Sequence, residues 1–201
     1  MQVIQLPKLI VLTVSLLLSG CYSKAAIRPP DILDKSSGRS IVLLSTSAAV
    51  ESHAFAKGII ISKVGDDGKR SPVTAYSLDN PWEATDIPQQ HIKLRWLALD
   101  PGAYVIEMGL ANPYFCVFEA PEFHFTLDAS QRVYLGEFRA GAARFDVSDH
   151  MDRDVAYFHS HATGGSETIF TPLPMQVEHV DNTDACKKRA GPAIAVSLPH
   201  R

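Results

Sequence analysis

Several features are missing from this 201-residue chain, and each absence narrows what the protein can be. The apolar run from Leu9 to Leu18 spans about ten residues, whereas a helix crossing the hydrocarbon core needs about twenty, so a permanent transmembrane span is not expected there. There is no basic stripe. Lys and Arg total 19 against 22 Asp and Glu, a formal net charge of −3, with the cations scattered, and nucleic acid is therefore not an expected partner. No Gly-x-Ser-x-Gly elbow positions a nucleophile, and neither Gly-x-Gly-x-x-Gly nor a Gly-Lys-Ser/Thr loop offers a phosphate cradle. No cofactor is expected. Finally, no long helical period runs through the chain, which excludes alternating βαβ units.

What is present begins with an export signal over residues 1–20: a short polar start with Lys8, the apolar run Leu9 to Leu18, and the small residues Ser19 and Gly20. The tetrapeptide Leu18-Ser19-Gly20-Cys21 resembles the lipobox of bacterial lipoproteins. The resemblance implies that the Cys21 thiol takes a diacylglyceryl group, that the chain is cut before it, and that the new amino terminus is acylated. Two or three chains make a firm anchor, since each buried methylene adds about 0.8 kcal/mol and one chain alone binds only marginally. Tyr22 stands where an aspartate commonly retains Gram-negative lipoproteins at the inner membrane, so the resemblance favours the outer membrane, facing the periplasm, in a Gram-negative source. Removing the signal leaves 201 − 20 = 181 residues with a formal charge of −3 − 1 = −4, because Lys8 is the only charge lost. That length suits one domain with tails. Residues 21–39 read as a flexible tether, rich in Ser, Pro and small residues, with Pro29-Pro30 inside it. Such a segment reaches about 25 Å root-mean-square, enough to hold a domain just off a lipid surface.

From Ser40 onward, short β-branched and aromatic runs are broken by Gly, Pro, Asp and Asn, the signature of strands. The expected strands are 41–47, 58–64, 73–78, 93–99, 103–109, 114–119, 123–127, 132–138 and 143–147. Gly65-Asp66-Asp67-Gly68 and Asp100-Pro101-Gly102 carry turn residues, and each is expected to reverse the chain between two strands. Alternation in Phe123 to Leu127 and in Arg132 to Phe138 gives those strands one buried face. The expected fold is mainly β, an antiparallel β-sandwich over residues 40–162, with one helix near 150–161. For that helix Ser148 or Asp149 caps, Asp152 lies in the first turn, and Met151, Val155 and Phe158 recur at helical spacing. Residues 163–201, with Gly164-Gly165, Pro172, Pro174 and Pro192, are expected to form a loosely ordered tail in which only Met175 to Val180 supplies an edge strand.

Leu99-Asp100-Pro101-Gly102-Ala103-Tyr104-Val105-Ile106, and Phe125 to Ala129 continuing through Val133-Tyr134-Leu135-Gly136, resemble a group of bacterial lipoproteins. Their small sandwich, of the transthyretin and carboxypeptidase-regulatory type, carries a Pro-Gly-x-Tyr hairpin and a strand ending in Tyr-x-Gly. The likeness covers residues 40–158, and Ser130 stands where that group usually has Gly. It implies an envelope module and supplies no catalytic residues.

The sharpest polar constellation is His159-Ser160-His161, preceded by Asp149, His150, Asp152 and Asp154. His-x-His is similar to the zinc motif of JAMM-type metalloproteases, which implies a metal on His159 and His161 and, as the alternative function, a metal-dependent envelope hydrolase. That motif continues through proline to serine and aspartate, whereas this chain runs Ala162-Thr163-Gly164-Gly165-Ser166-Glu167. On a helix, residues two apart also point in different directions, and the macrodipole alone favours histidine at a carboxyl end. The aspartates lack the glycine and distal glutamate of a calcium loop. Of the three cysteines, Cys21 is assigned to lipid; Cys116 and Cys186 remain and are expected to form a disulfide in an oxidising compartment. Trp82 after Asn80-Pro81 and Tyr114 after Asn112-Pro113 are candidate loop anchors for an envelope protein or glycan, although such side chains also fold back onto cores.

Overall fold

A computed structural model describes residues 37–48, 56–78, 85–87, 90–110, 116–117, 119–141, 145–161, 168–188 and 193–194. Strands run β1 Ser40–Ala48, β2 Ala56–Val64, β3 Arg70–Ser77, β4 Ile92–Leu99, β5 Gly102–Leu110, β6 Cys116–Val117, β7 Glu119–Leu127, β8 Arg132–Ala140 and β9 Phe145–Ser148. After them come helix α1 Met151–His161, β10 Thr171–Pro172, β11 Gln176–Asp181, helix α2 Thr183–Lys188 and β12 Ala193–Ile194. The protein is mainly β, as its short β-branched runs dictate. One sheet is ordered β10-β8-β1-β4, with β9 also pairing β8; the second is ordered β11-β7-β5-β2-β3. Among the described residues no helix is long and apolar enough to cross a membrane.

The two five-stranded sheets share one core. Val42, Leu44, Leu97, Val133, Leu135 and Phe138 of the first meet Ile59, Ile61, Tyr104, Ile106, Phe123 and Phe125 of the second, a sandwich-like arrangement of two inner faces. A third layer lies outside the first sheet, where Phe158, Met151 and Val155 of α1 cover Ile41, Leu43, Leu94 and Tyr134. Strand β1 is thus buried on both faces. Its unbroken Ile41-Val42-Leu43-Leu44 is the sequence such a strand requires, in place of the alternation of a half-exposed one.

Three expectations are corrected. Not all pairing is antiparallel: β1 lies parallel to β8, which the chain reaches only after passing through the opposite sheet, and β10 to β8 and β12 to β6 are parallel as well. The Asp100-Pro101-Gly102 turn is not a hairpin. It carries the chain from β4, which pairs β1, into β5, which pairs β2 and β7 in the other sheet. Gly102 supplies the bend at φ 141°, and the Tyr104 hydroxyl donates to the Asp100 carbonyl at 2.7 Å, tying strand to turn. By contrast, Gly65 to Lys69 does form the β2–β3 hairpin, with Gly68 at φ 74°.

The third correction concerns residues 163–201. β10 pairs β8 and β11 pairs β7, while Leu173 and Met175 pack against the core, so the domain extends beyond residue 162. Pro172 and Pro174 are compatible with this because β10 is only a two-residue edge strand, where a missing N–H costs little. The edge strand foreseen over 175–180 is β11, one position later.

Candidate functional site

Helix α1 starts where Asp149 Oδ1 accepts from the Met151 amide at 2.9 Å, the cap its sequence encodes. The apolar stripe pulls the helix onto the first sheet and takes Asp154, fully buried, with it. Ser45 and Tyr134 hydroxyls donate to Asp154 Oδ2 at 2.5 and 2.7 Å, and Arg153 Nε donates to Oδ1 at 2.8 Å. The same guanidinium donates through Nη2 to Glu137 Oε2 at 2.8 Å and through Nη1 to Gln90 at 3.0 Å. Ser47 Oγ donates to the other Glu137 oxygen, and His150 Nε2 lies 3.7 Å from Oε2. Both carboxylates are therefore saturated by groups of this chain, as burial of charge requires. Burial alone would raise Glu137, but the Ser47 and Arg153 hydrogen bonds and the cationic neighbours hold it below the ordinary glutamate value. Tyr134 is pushed up, first by burial and then by the Asp154 carboxylate.

A bulge makes this network possible. Residues 134 and 137 are three apart and would face opposite sides of a regular strand. Between Leu43 and Ser45 the β1–β8 register slips by one, with Gly136 at φ 109°, and the extra residue turns Tyr134 and Glu137 to the same outer face. The bulge also opens a notch. β10 ends opposite Tyr134 and the antiparallel β9 ends, at Ser148, opposite Glu137, so Leu135 and Gly136 lie between the two neighbours that β8 has on that side. There a cleft of about 380 Å³ is lined by Tyr134, Leu135, Gly136, Val147, Leu173 and Met175, among others. A Cβ on Gly136 would stand 2.9 Å from Val147 Cγ1 and 3.1 Å from the Ser148 carbonyl oxygen.

A second polar group covers the outer face of the other sheet. Register sets Glu178, Glu122 and Glu107 side by side across β11, β7 and β5. Arg70 offsets that row, forking onto Glu122 at 2.7 and 2.8 Å and reaching Glu107 at 2.8 Å. His124 Nε2 lies 3.2 Å from Glu122 and 3.6 Å from Glu178. Desolvation raises Glu122, but the Arg70 hydrogen bonds and charge outweigh it and leave the carboxyl lowered. The Arg70–Glu122 hydrogen bond in turn raises the guanidinium.

His159 and His161 fall in the last turn of α1, and the structure gives them different surroundings. His159 Nε2 is 2.7 Å from the Thr168 carbonyl oxygen, which can only accept, so that nitrogen carries the proton. His161 stacks on Tyr157 at 3.9 Å between ring centroids, with Nδ1 at 3.0 Å from the Tyr157 carbonyl. At roughly 100° per residue the two rings leave the helix about 200° apart, and the helix does not bring them onto one ion. Among the described residues no group of three or more His, Cys, Asp or Glu could hold a metal. Cys186 is buried in α2 and disulfide-bonded, and the backbone of α2 packs against β6, the strand that contains Cys116. Cys21, Trp82 and Tyr114 lie outside the described residues.

The Asp154–Arg153–Glu137 network was not foreseen from sequence. Its one legible sign was Asp154, a third aspartate after two that serve the helix start, lying one position before Val155 of the apolar stripe. Comparison with protein-family models, with curated protein sequences and with solved structures gave no match.

Proposed function

We propose that this chain is a lipid-anchored protein of the cell envelope whose mainly β domain serves as a structural or binding module. The observation that carries the reading is Leu18-Ser19-Gly20-Cys21 placed directly after a ten-residue apolar run with Lys8 before it. Its partners are then the membrane, through the lipid on Cys21, and an envelope protein or glycan; in a Gram-negative source the domain faces the periplasm from the outer membrane. The domain's chemistry supports a module better than an enzyme. Its buried carboxylates, Asp154 and Glu137, are satisfied internally by Ser45, Tyr134, Arg153 and Ser47, so these two fasten a helix rather than face a substrate. For the alternative, a metal-dependent hydrolase, His159 would have to give up its bond to the Thr168 carbonyl before Nε2 could bind an ion.

The test is metabolic labelling with palmitate in a bacterial host. Wild-type protein is expected to take up label and to sediment with membranes. Cys21→Ser is expected to lose the label and to keep its signal uncut by the lipoprotein peptidase. An unlabelled wild type, or label persisting in Cys21→Ser, would overturn the proposal.

A further inference from the structure

The sulfur of Cys186 is disulfide-bonded, and two cysteines could be its partner: Cys21 or Cys116. The geometry points to Cys116, and we propose that a Cys116–Cys186 disulfide clasps the C-terminal segment onto the sandwich and leaves Cys21 free for the lipid. Two features of the backbone converge on β6. Helix α2, with Cys186 buried, packs against it from one part of the tail. Seven residues further on (193 − 186 = 7) the chain returns as β12, running parallel to β6 with Ala193 in register with Cys116 itself. The segment 183–194 is thus brought to Cys116 twice, while Val117 beside it is sunk in the core and fixes β6 in place. Cys21 belongs to a segment read as a flexible tether, and a bond from it to Cys186 would consume the thiol that the anchor needs.

Formation of the bond removes two protons and two electrons from the two thiols. The acceptor is a protein disulfide of the exported compartment: one thiolate attacks it to give a mixed disulfide, the second displaces that sulfur, and the donor leaves as a dithiol. The proposal rests on the envelope reading for that compartment and for the argument that sets Cys21 aside. Its consequence is an ordered tail, closing a loop of 186 − 116 = 70 residues and tying β12, α2 and, through them, β11 to the domain.

Protein isolated from the envelope, alkylated without reduction and digested, is expected to yield the Cys116 and Cys186 peptides joined. Full alkylation of both, or a peptide joining Cys186 to Cys21, would overturn the pairing. Substitutions separate this proposal from the lipid anchor. Cys116→Ser is expected to make Cys186 alkylatable while palmitate uptake continues, and Cys21→Ser to abolish palmitate uptake while Cys186 stays protected. Loss of palmitate in the wild type with the joined peptide intact would remove the anchor alone; exposure of Cys186 in Cys21→Ser would remove the clasp.

Discussion

Single residues decide where this backbone departs from regular geometry. Gly136 combines φ 109° with a neighbouring carbonyl 3.1 Å from where a Cβ would sit, so a side chain is opposed both by its own backbone and by β9. Gly136→Ala is expected to lower stability by about 2–4 kcal/mol, read as a fall in the urea midpoint; an unchanged midpoint would contradict the bulge. The turn at Gly102 was legible, because Asp-Pro-Gly before a strand needs a backbone that only glycine adopts readily, but the destination of the chain after it was not. Turn residues specify local bending and say nothing of which sheet receives the next strand. Ser130, at φ 60°, occupies a left-handed conformation that favours glycine.

At the scale of elements, the strands and the long helix follow from periodicity, and the network between them does not. Met151, Val155 and Phe158 reveal the helix face, and the alternation around Phe123 to Leu127 reveals a half-buried strand, since both periods are intrinsic to their elements. Glu137 and Asp154 meet only because a bulge reverses one strand's facing and a helix then docks there, two events that no local period encodes. β10 was hidden by its prolines, and parallel pairing by the length of chain between partners. Acid tests the network. Because the folded protein holds Glu137 below the ordinary glutamate value of 4.5, its contribution is present above that pH and is lost as pH falls through the lowered folded value. Glu122 acts in the same sense on the other sheet. Glu137→Gln, which removes the Arg153 ion pair, is expected to cost on the order of 2–3 kcal/mol at pH 7. Its denaturation midpoint is then expected to fall less steeply than that of the wild type on acidification and to approach the wild-type value at low pH. Parallel pH profiles would mean that Glu137 contributes nothing through its charge.

At the scale of the whole molecule, the arrangement we propose is a lipid on Cys21 and a tether of some eighteen residues, carrying a sandwich-like domain whose first sheet is covered on its outer face by α1 and whose tail we propose to be clasped. In the loop-entropy description, closing seventy residues restricts the unfolded chain by roughly 4 kcal/mol, a large share of the 5–15 kcal/mol that domains usually hold. Such a staple would suit the proposed location outside the cytoplasm, where a thermodynamically loose tail meets proteases. The proposed location rests on sequence alone, because an export signal and a lipobox would be linear codes, read by enzymes before any fold exists. Mass spectrometry of the mature amino-terminal peptide therefore tests the central claim most directly. Cleavage after Lys24 in membrane-derived protein is predicted to release Cys21-Tyr22-Ser23-Lys24 carrying a diacylglyceryl thioether, with or without a third acyl chain on the amine. A mature chain beginning at any other residue, or Cys21 present with an unmodified thiol, would contradict it.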